Sequence, residues 1–255
     1  MQDKATKTPK SHFRSIFLSD VHLGSKACHA ELLNNFLKNH SCDNLYLLGD
    51  IIDGWRIKKN FYWPESHSHV IRQLINKQRH NAKIVYVLGN HDGFLRQWMT
   101  EILLEGVTLC NEATHTGVDG KNYLLLHGDI FDAALNATKW MTLVGDSAYD
   151  VLIFTNRILN GIRKLFRMKH YSLSSKIKNN VQHAIDFVSR YESILLNYCV
   201  TRKHDGVICG HIHFPAIREA DDIRYMNPGD WQESCSALVE HIDGTFELIY
   251  WNEFR

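Results

Sequence analysis

The sequence predicts an α/β fold interrupted by a helical insertion. Three observations carry that expectation. Short apolar, β-rich runs alternate with amphipathic helical patterns through the front half of the chain. About seventy residues, from Ala133 to Arg202, then keep a helical pattern without a clear strand. Short β-rich runs return after it, so the helical block, about 133–203, sits inside one sheet-based domain spanning 1–255.

Taken in order, Ser15-Ile16-Phe17-Leu18 reads as a buried strand and Ala30 to Leu37 as an amphipathic helix. Leu45 to Leu48 is a second strand. His67 to Gln78 places Val70, Ile71, Leu74 and Ile75 at helical spacing. Ile84 to Leu88 is a third strand, followed by a helix over Phe94 to Leu104, and Tyr123 to Leu126 is a fourth strand. Beyond the insertion, Gly206 to Cys209 is a strand. Ala216 to Met226 and Ala237 to Tyr250 read as short antiparallel strands, with Asp243-Gly244 as a hairpin turn.

Composition excludes several classes. Of 255 residues 44% are hydrophobic and 22% charged, which is globular rather than disordered or collagen-like. Lys plus Arg number 29 against 28 Asp plus Glu, so no global electrostatic grip on nucleic acid is expected. No apolar run approaches bilayer-spanning length, and the polar, basic start from Met1 to Arg14 has no signal-peptide core. Cytoplasmic residence is the expectation. The six cysteines form no CxxC pair and fit reduced thiols.

The chemistry sits in five short motifs, each closing an apolar run: Ser19-Asp20-Val21-His22, Gly49-Asp50-Ile51-Ile52-Asp53, Gly89-Asn90-His91-Asp92, His127-Gly128-Asp129 and Gly210-His211-Ile212-His213. Strand ends converge on one rim of an α/β sheet, where ligands bind. In extended chain residues i and i+2 face the same way, so Asp20 pairs with His22 and His211 with His213. Asp50 can bridge with its two oxygens, and Asn90 adds a neutral carbonyl. Counting donors gives two divalent cations. Asp20, His22, Asp50 and His213 hold one; Asp50, Asn90, His127 and His211 hold the other. Nitrogen and oxygen donors without thiolate suit Mn²⁺ foremost, with Fe²⁺ and Zn²⁺ also compatible. Two such ions clamp an in-line displacement at phosphorus, with a hydroxide between them as nucleophile.

This motif set, in this order, resembles the calcineurin-like metallophosphoesterases. The resemblance runs from Asp20 to His213 and implies a four-layer α-β-β-α sandwich. It implies that His91 is a non-ligand histidine that contacts the scissile phosphate and helps the leaving group depart. Asp53 and Asp92 are expected beside the ligands, orienting imidazoles. The start Phe17 to Gly24 and the segment Met226 to Cys235 look like the UDP-2,3-diacylglucosamine pyrophosphatase group, closest to its second, divergent branch. Those enzymes cleave a diacylated UDP-sugar to UMP and an acylated sugar phosphate in lipid A synthesis. The best-known branch carries Arg where this chain has His91, so its substrate contacts do not carry over.

The insertion bears on the substrate independently. From Val151 to Ile185 there is no Asp or Glu, while Arg157, Arg163, Lys164, Arg167 and Lys169 accompany an apolar stripe. A basic amphipathic helix suits either an anionic membrane surface, here the cytoplasmic face of the inner membrane, or a roof over acyl chains and a diphosphate. It is equally compatible with a solvated basic face over core. Trp55 and Trp63, just after Asp53, are candidates to line the pocket; Arg14 and Arg56 have only the charge to contact phosphate. Two other readings stay open at this point: the same chemistry on a phosphoprotein, nucleotide or small phosphodiester, and a non-catalytic scaffold.

Overall fold

The computed structural model describes residues 11–98, 106–132, 174–220 and 222–251. The chain divides into two compact units, one of Met1–Asp129 with Leu195–Arg255 and one of Ile130–Ile194. The larger unit carries two sheets. In the first, the order is β11(Phe246–Tyr250), β10(Ser236–Glu240), β1(Ser11–Leu18), β2(His40–Leu48), β3(Lys83–Val87), β4(Val107–Cys110). In the second it is β5(Glu112–Thr116), β6(Asn122–Leu126), β7(Gly206–Cys209), β9(Ile223–Asn227), β8(Ala216–Ala220). Strands β1 to β4 run parallel, as do β6, β7 and β9, so within each sheet their carboxyl ends share a rim.

Period-two alternation explains both faces of the first sheet. Phe17, Tyr46, Leu48, Val87 and Leu238 turn inward and meet Tyr123, Leu125, Ile208 and Met226 of the second sheet. Phe17 stacks on Tyr46 with ring centroids 4.8 Å apart. The alternate residues Ile16, Leu18, Leu45, Leu47, Ile84 and Tyr86 pack under helices α1(Ala30–Asn39) and α3(Glu65–Arg79) through Leu33, Phe36, Leu37, Val70 and Leu74. Each fully buried large apolar side chain contributes roughly 1.5–3 kcal/mol. A short α2(Gly54–Lys59) follows Asp53, whose carboxylate caps it by accepting from the Arg56 N–H at 2.9 Å. A fourth helix, α4(Ser174–Thr201), closes the helical block and runs from the smaller unit into the larger.

Three elements differ from the sequence reading. The helix expected over Phe94–Leu104 is a 3-10 helix, Gly93–Trp98, tightened where Leu95 N–H bonds back to the Asp92 carbonyl at 2.8 Å; 99–105 lie outside the described residues. Strands β4 and β5 differ from the reading: both are short, four and five residues, and β5 is mostly polar. With only Asn111 between them, they carry the chain from the edge of one sheet to the edge of the other. Of the helical block only 174–203 is described; 133–173 lie outside the described residues.

A buried polar network bridges the sheets near the start of β1. Glu240, fully buried, accepts from Arg14 at 2.6 and 2.7 Å and from Ser15 Oγ at 2.9 Å, and stands 2.9 Å from His115 Nε2. His115 Nδ1 lies 3.0 Å from the Tyr46 hydroxyl. Burial alone would raise the Glu240 carboxyl, but His115, Arg14 and Ser15 together bring it down to about 2. A carboxyl depressed on folding stabilises the fold above the ordinary glutamate range and loses that contribution as pH falls through the folded value. Glu240→Ala is expected to lower the unfolding free energy by about 3–5 kcal/mol at pH 7 in chemical denaturation. For Glu240→Gln the deficit against wild type should narrow as pH drops from about 5 toward 2.

Candidate metal centre

All five motifs fall on loops at strand ends of the larger unit. Asp20 and His22 follow β1, Asp50 and Asp53 follow β2, Asn90, His91 and Asp92 follow β3, His127 follows β6, and His211 and His213 follow β7. Donor atoms of Asp20, His22 and His213 lie within 4.8 Å of one another. So do those of Asp20, Asp50 and His127, and those of His22, Asp50 and His91.

The backbone reaches this arrangement by an unexpected route. Asp20, His22, Asp50, His211 and His213 all have left-handed φ, between 51° and 72°. Each such residue costs on the order of 1–3 kcal/mol, and strain of this kind gathers at functional sites. The i, i+2 pairs therefore converge through left-handed turns and not through the extended geometry that the spacing suggests. Tertiary hydrogen bonds hold these turns. His22 N–H donates to the Asp50 carbonyl at 2.8 Å, Trp231 N–H to the Asp20 carbonyl at 3.1 Å, and Asn227 Nδ2 to the Gly210 carbonyl at 3.0 Å. Two glycines are needed for space. A Cβ on Gly89 would stand 2.3 Å from Asp50 Oδ1, and one on Gly210 1.7 Å from Ser19 Oγ.

Orientation of the side chains follows from their second contacts. His127 Nδ1 faces the Leu48 carbonyl at 2.9 Å, so it carries a proton, and Nε2 points toward Asp50 Oδ2, 3.4 Å away. His213 Nε2 is 3.2 Å from Asp20 Oδ1. His22 Nε2 is 3.9 Å from both Asp20 Oδ1 and Asp50 Oδ2. Asp20 Oδ2 accepts from Ser19 Oγ and the His211 N–H, leaving Oδ1 toward the cluster. His211 packs its ring beside His127, with centroids 5.1 Å apart. Asp53 joins the two outer imidazoles, at 2.9 Å from His91 Nδ1 and 3.3 Å from His22 Nδ1.

The structure gives Asp92 a backbone role. Its carboxylate accepts from Ile51 N–H at 3.1 Å, Ile52 N–H at 2.8 Å and the Tyr86 hydroxyl at 2.7 Å, which pins the loop after Asp50. Burial and the nearby Asp50 push Asp92 up to about 6. Two further residues escaped sequence reasoning. Buried Asp230 gathers the N–H groups of Gln232, Glu233 and Ser234 and stands 3.7 Å from His213 Nδ1. Its signal was an aspartate three residues beyond the end of β9, one further than the position that marks Asp20 and Asp50. Tyr86 looks like ordinary core from its apolar neighbours. Among the pocket candidates, Trp55 tilts over His91 with centroids 4.1 Å apart, whereas Trp63 packs into the core and donates to Ser68 Oγ. Arg14 is engaged by Glu240. Arg157, Arg163, Lys164, Arg167 and Lys169 lie outside the described residues.

The donor set fits divalent metal. Buried polar atoms normally find a partner. Asp20 Oδ1, His22 Nε2, Asn90 Oδ1 and His127 Nε2 are buried without a hydrogen-bond partner. Donors held about 2.1 Å from one ion stand roughly 3.0–3.4 Å apart; His213 Nε2 to Asp20 Oδ1 at 3.2 Å and His127 Nε2 to Asp50 Oδ2 at 3.4 Å match that spacing, and His22 Nε2 is wider, at 3.9 Å from either carboxylate. The electrostatics agree. Burial would raise Asp20 and Asp50, yet neighbouring imidazoles hold both well below the usual carboxylate range. Burial would lower His127 and His213, yet Asp50 and Asp20 drive them up to about 10 and about 9. A buried site whose ionised carboxylates keep protons on the neighbouring imidazoles this strongly is short of positive charge.

Comparison with known proteins agrees with the geometry. The calcineurin-like phosphoesterase family model matches residues 13–215. A UDP-2,3-diacylglucosamine hydrolase of Shewanella sp. (strain ANA-3) is 24% identical over 240 residues, covering 91% of this chain and 95% of its own. One from Psychromonas ingrahamii is 27% identical over 243 residues, covering 88% and 92%. Among solved structures, the E. coli phosphoesterase Yfce is similar over 93% of this chain and 99% of its own, at 17% identity and a TM-score of 0.44. With the family match taking in β1 to β7 and all five motifs, the chain belongs to the calcineurin-like phosphoesterases and is a hydrolase with divalent-metal-binding groups.

Proposed function

We propose that this protein is a dinuclear-metal phosphoesterase that hydrolyses UDP-2,3-diacylglucosamine to UMP and 2,3-diacylglucosamine 1-phosphate. The observation that carries the metal chemistry is the ring of partnerless buried donors around Asp50. Asp20, His22, Asp50 and His213 would hold one cation and Asp50, Asn90, His127 and His211 the other, Mn²⁺ being the ion best suited. When bound, the pair supplies Lewis-acid stabilisation and a water that ionises near neutral pH.

The chain's own residues do the rest. Asp53 fixes His91 by its Nδ1 and leaves Nε2 to face the substrate from a partly exposed ring. Burial would lower the His91 imidazolium, but Asp53 and Asp50 raise it above the ordinary imidazole range, which favours the proton-carrying form. That proton goes to the oxygen leaving phosphorus, while the attacking water's oxygen joins the phosphate of UMP. The Leu48 carbonyl keeps His127 in one tautomer, and Asp92 keeps the Asp50 loop in place.

The substrate rests on the relatives' names and on their near-complete mutual coverage. The acid-free basic stretch over 151–185 supports lipid contact as well, because an acylated substrate needs both an apolar roof and cations for its diphosphate. Among the described residues no helix is long and apolar enough to cross a membrane, which leaves peripheral contact as the mode proposed.

Asp50→Ala should lose both metals and nearly all turnover, read by elemental analysis of the purified protein beside a rate assay. His91→Ala should keep its metal and lose about 10²–10⁴ in kcat, because it acts on the leaving group and not on the cations. A metal-free His91→Ala protein would make His91 a ligand and cancel its assigned role. Exhaustive chelation should abolish activity and Mn²⁺ restore it. With Mn²⁺ present, UMP release from UDP-2,3-diacylglucosamine should far outpace hydrolysis of an aryl phosphodiester. Equal slow rates on both would discard the lipid substrate and leave only the phosphoesterase chemistry.

A further inference from the structure

A short segment crosses between the two sheets beside the donors. It runs from Asn227, the last residue of β9, to Ser236, the first of β10, and reads NPGDWQESCS. Strand β9 belongs to the second sheet and β10 to the first, so the segment passes from one half of the donor set to the other. Its ends and its middle are all held. Asn227 Nδ2 donates to the Gly210 carbonyl at 3.0 Å, and Asn227 Oδ1 accepts from the Gly229 N–H at 2.8 Å. Ser236 Oγ donates to the Pro228 carbonyl at 2.7 Å. Between them the Trp231 N–H donates to the Asp20 carbonyl at 3.1 Å, and the Trp231 carbonyl accepts from the His29 N–H at 2.8 Å.

The two oxygens of Asp230, a fully buried residue, have different surroundings. Oδ1 accepts from the N–H groups of Gln232, Glu233 and Ser234 at 2.7, 2.5 and 3.3 Å, which closes the turn with one oxygen alone. Oδ2 meets Ser234 Oγ at 3.4 Å and His213 Nδ1 at 3.7 Å. His213 Nδ1 is buried without a hydrogen-bond partner, while the opposite nitrogen, Nε2, faces Asp20 Oδ1 at 3.2 Å. An imidazole that gives Nε2 to a cation carries its proton on Nδ1, and a buried N–H needs an acceptor. A carboxylate in that place fixes the ring and raises its basicity toward the metal. Asp53 stands in the same relation to His22, 3.3 Å from its Nδ1.

We propose that Asp230 is a positioning residue for one of the two cations, accepting from the His213 Nδ1–H when Nε2 turns to the metal. The crossing segment then sets two donors of that cation which come from opposite sheets: Asp230 orients His213 of the second, and Trp231 holds the turn that presents Asp20 of the first. The effect is selective. It belongs to the position of Asp20, His22, Asp50 and His213, because His127 at the other position takes its orientation from the Leu48 carbonyl. This role rests on the dinuclear reading and on no particular substrate.

The test is Mn²⁺ binding by the full chain without substrate, followed by electron paramagnetic resonance. Wild type should take up two Mn²⁺ and give the spectrum of an exchange-coupled pair. Asp230→Asn keeps an oxygen for the three N–H groups and turns an NH₂ group toward His213 Nδ1. It should bind one Mn²⁺ as wild type does and the other about 10–100-fold more weakly. At a concentration that just saturates wild type, its spectrum should therefore be that of an uncoupled single ion. Ser236→Ala loosens the same segment away from His213. It should lower the unfolding temperature and leave both affinities as in wild type. Unchanged Mn²⁺ binding in Asp230→Asn, an equal loss at both positions, or the same selective loss in Ser236→Ala would each overturn the proposal and leave the dinuclear reading standing. Wild type that binds fewer than two Mn²⁺ would overturn that reading and this role with it.

Discussion

Two carboxylates, Asp20 and Asp50, sit buried in one cluster and are held ionised by the imidazoles around them. Burying like charges together is unfavourable unless compensating positive charge arrives with them. The surrounding architecture can be understood as the means of keeping them there. Left-handed backbone at five donor residues and the close approaches at Gly89 and Gly210 are all strained or demanding features. Regular strands on either side over-determine them, which is the condition under which such strain persists. The cation requirement is thus imposed by the folded chain and does not have to be assembled by a ligand.

Hydrogen bonds behind the donors divide the labour. The Leu48 carbonyl selects the His127 tautomer, Asp53 spans His22 and His91, and Asp92 grips the amides after Asp50. Tyr86 extends that support back into the layer between the first sheet and its helices. Supporting contacts of this kind fix orientation and basicity as much as the donors themselves do.

Much of the site could be read from residue types. Asp20, His22, Asp50, Asn90, His127, His211 and His213 announce themselves because each closes an apolar run, and strand ends share a rim. What could not be read was how they converge. Spacing of two implies extended chain, but φ above zero at Asp20, His22, His211 and His213 depends on distant hydrogen bonds such as Trp231 to Asp20. Asp230 and Tyr86 were missed for the same reason: their roles lie in partners far along the chain. Strands β4 and β5 are too short to show a period, at four and five residues, and β5 is mostly polar besides. The division into two sheets came from resemblance alone, because periodicity reports a strand and not which neighbour it joins.

The clustered donors come from both sheets: Asp20, His22, Asp50 and His91 from the first, His127 and His213 from the second. The thickness of the apolar filling between them, Phe17 and Leu48 against Leu125 and Ile208, is therefore a gauge block for the cluster. Close-packed interiors transmit small volume changes instead of absorbing them. Trading one methyl group in that filling shifts the span across which the two halves of the cluster face each other. Engineering for robustness in this layer is inseparable from tuning the reaction, although none of its side chains touches a reacting atom.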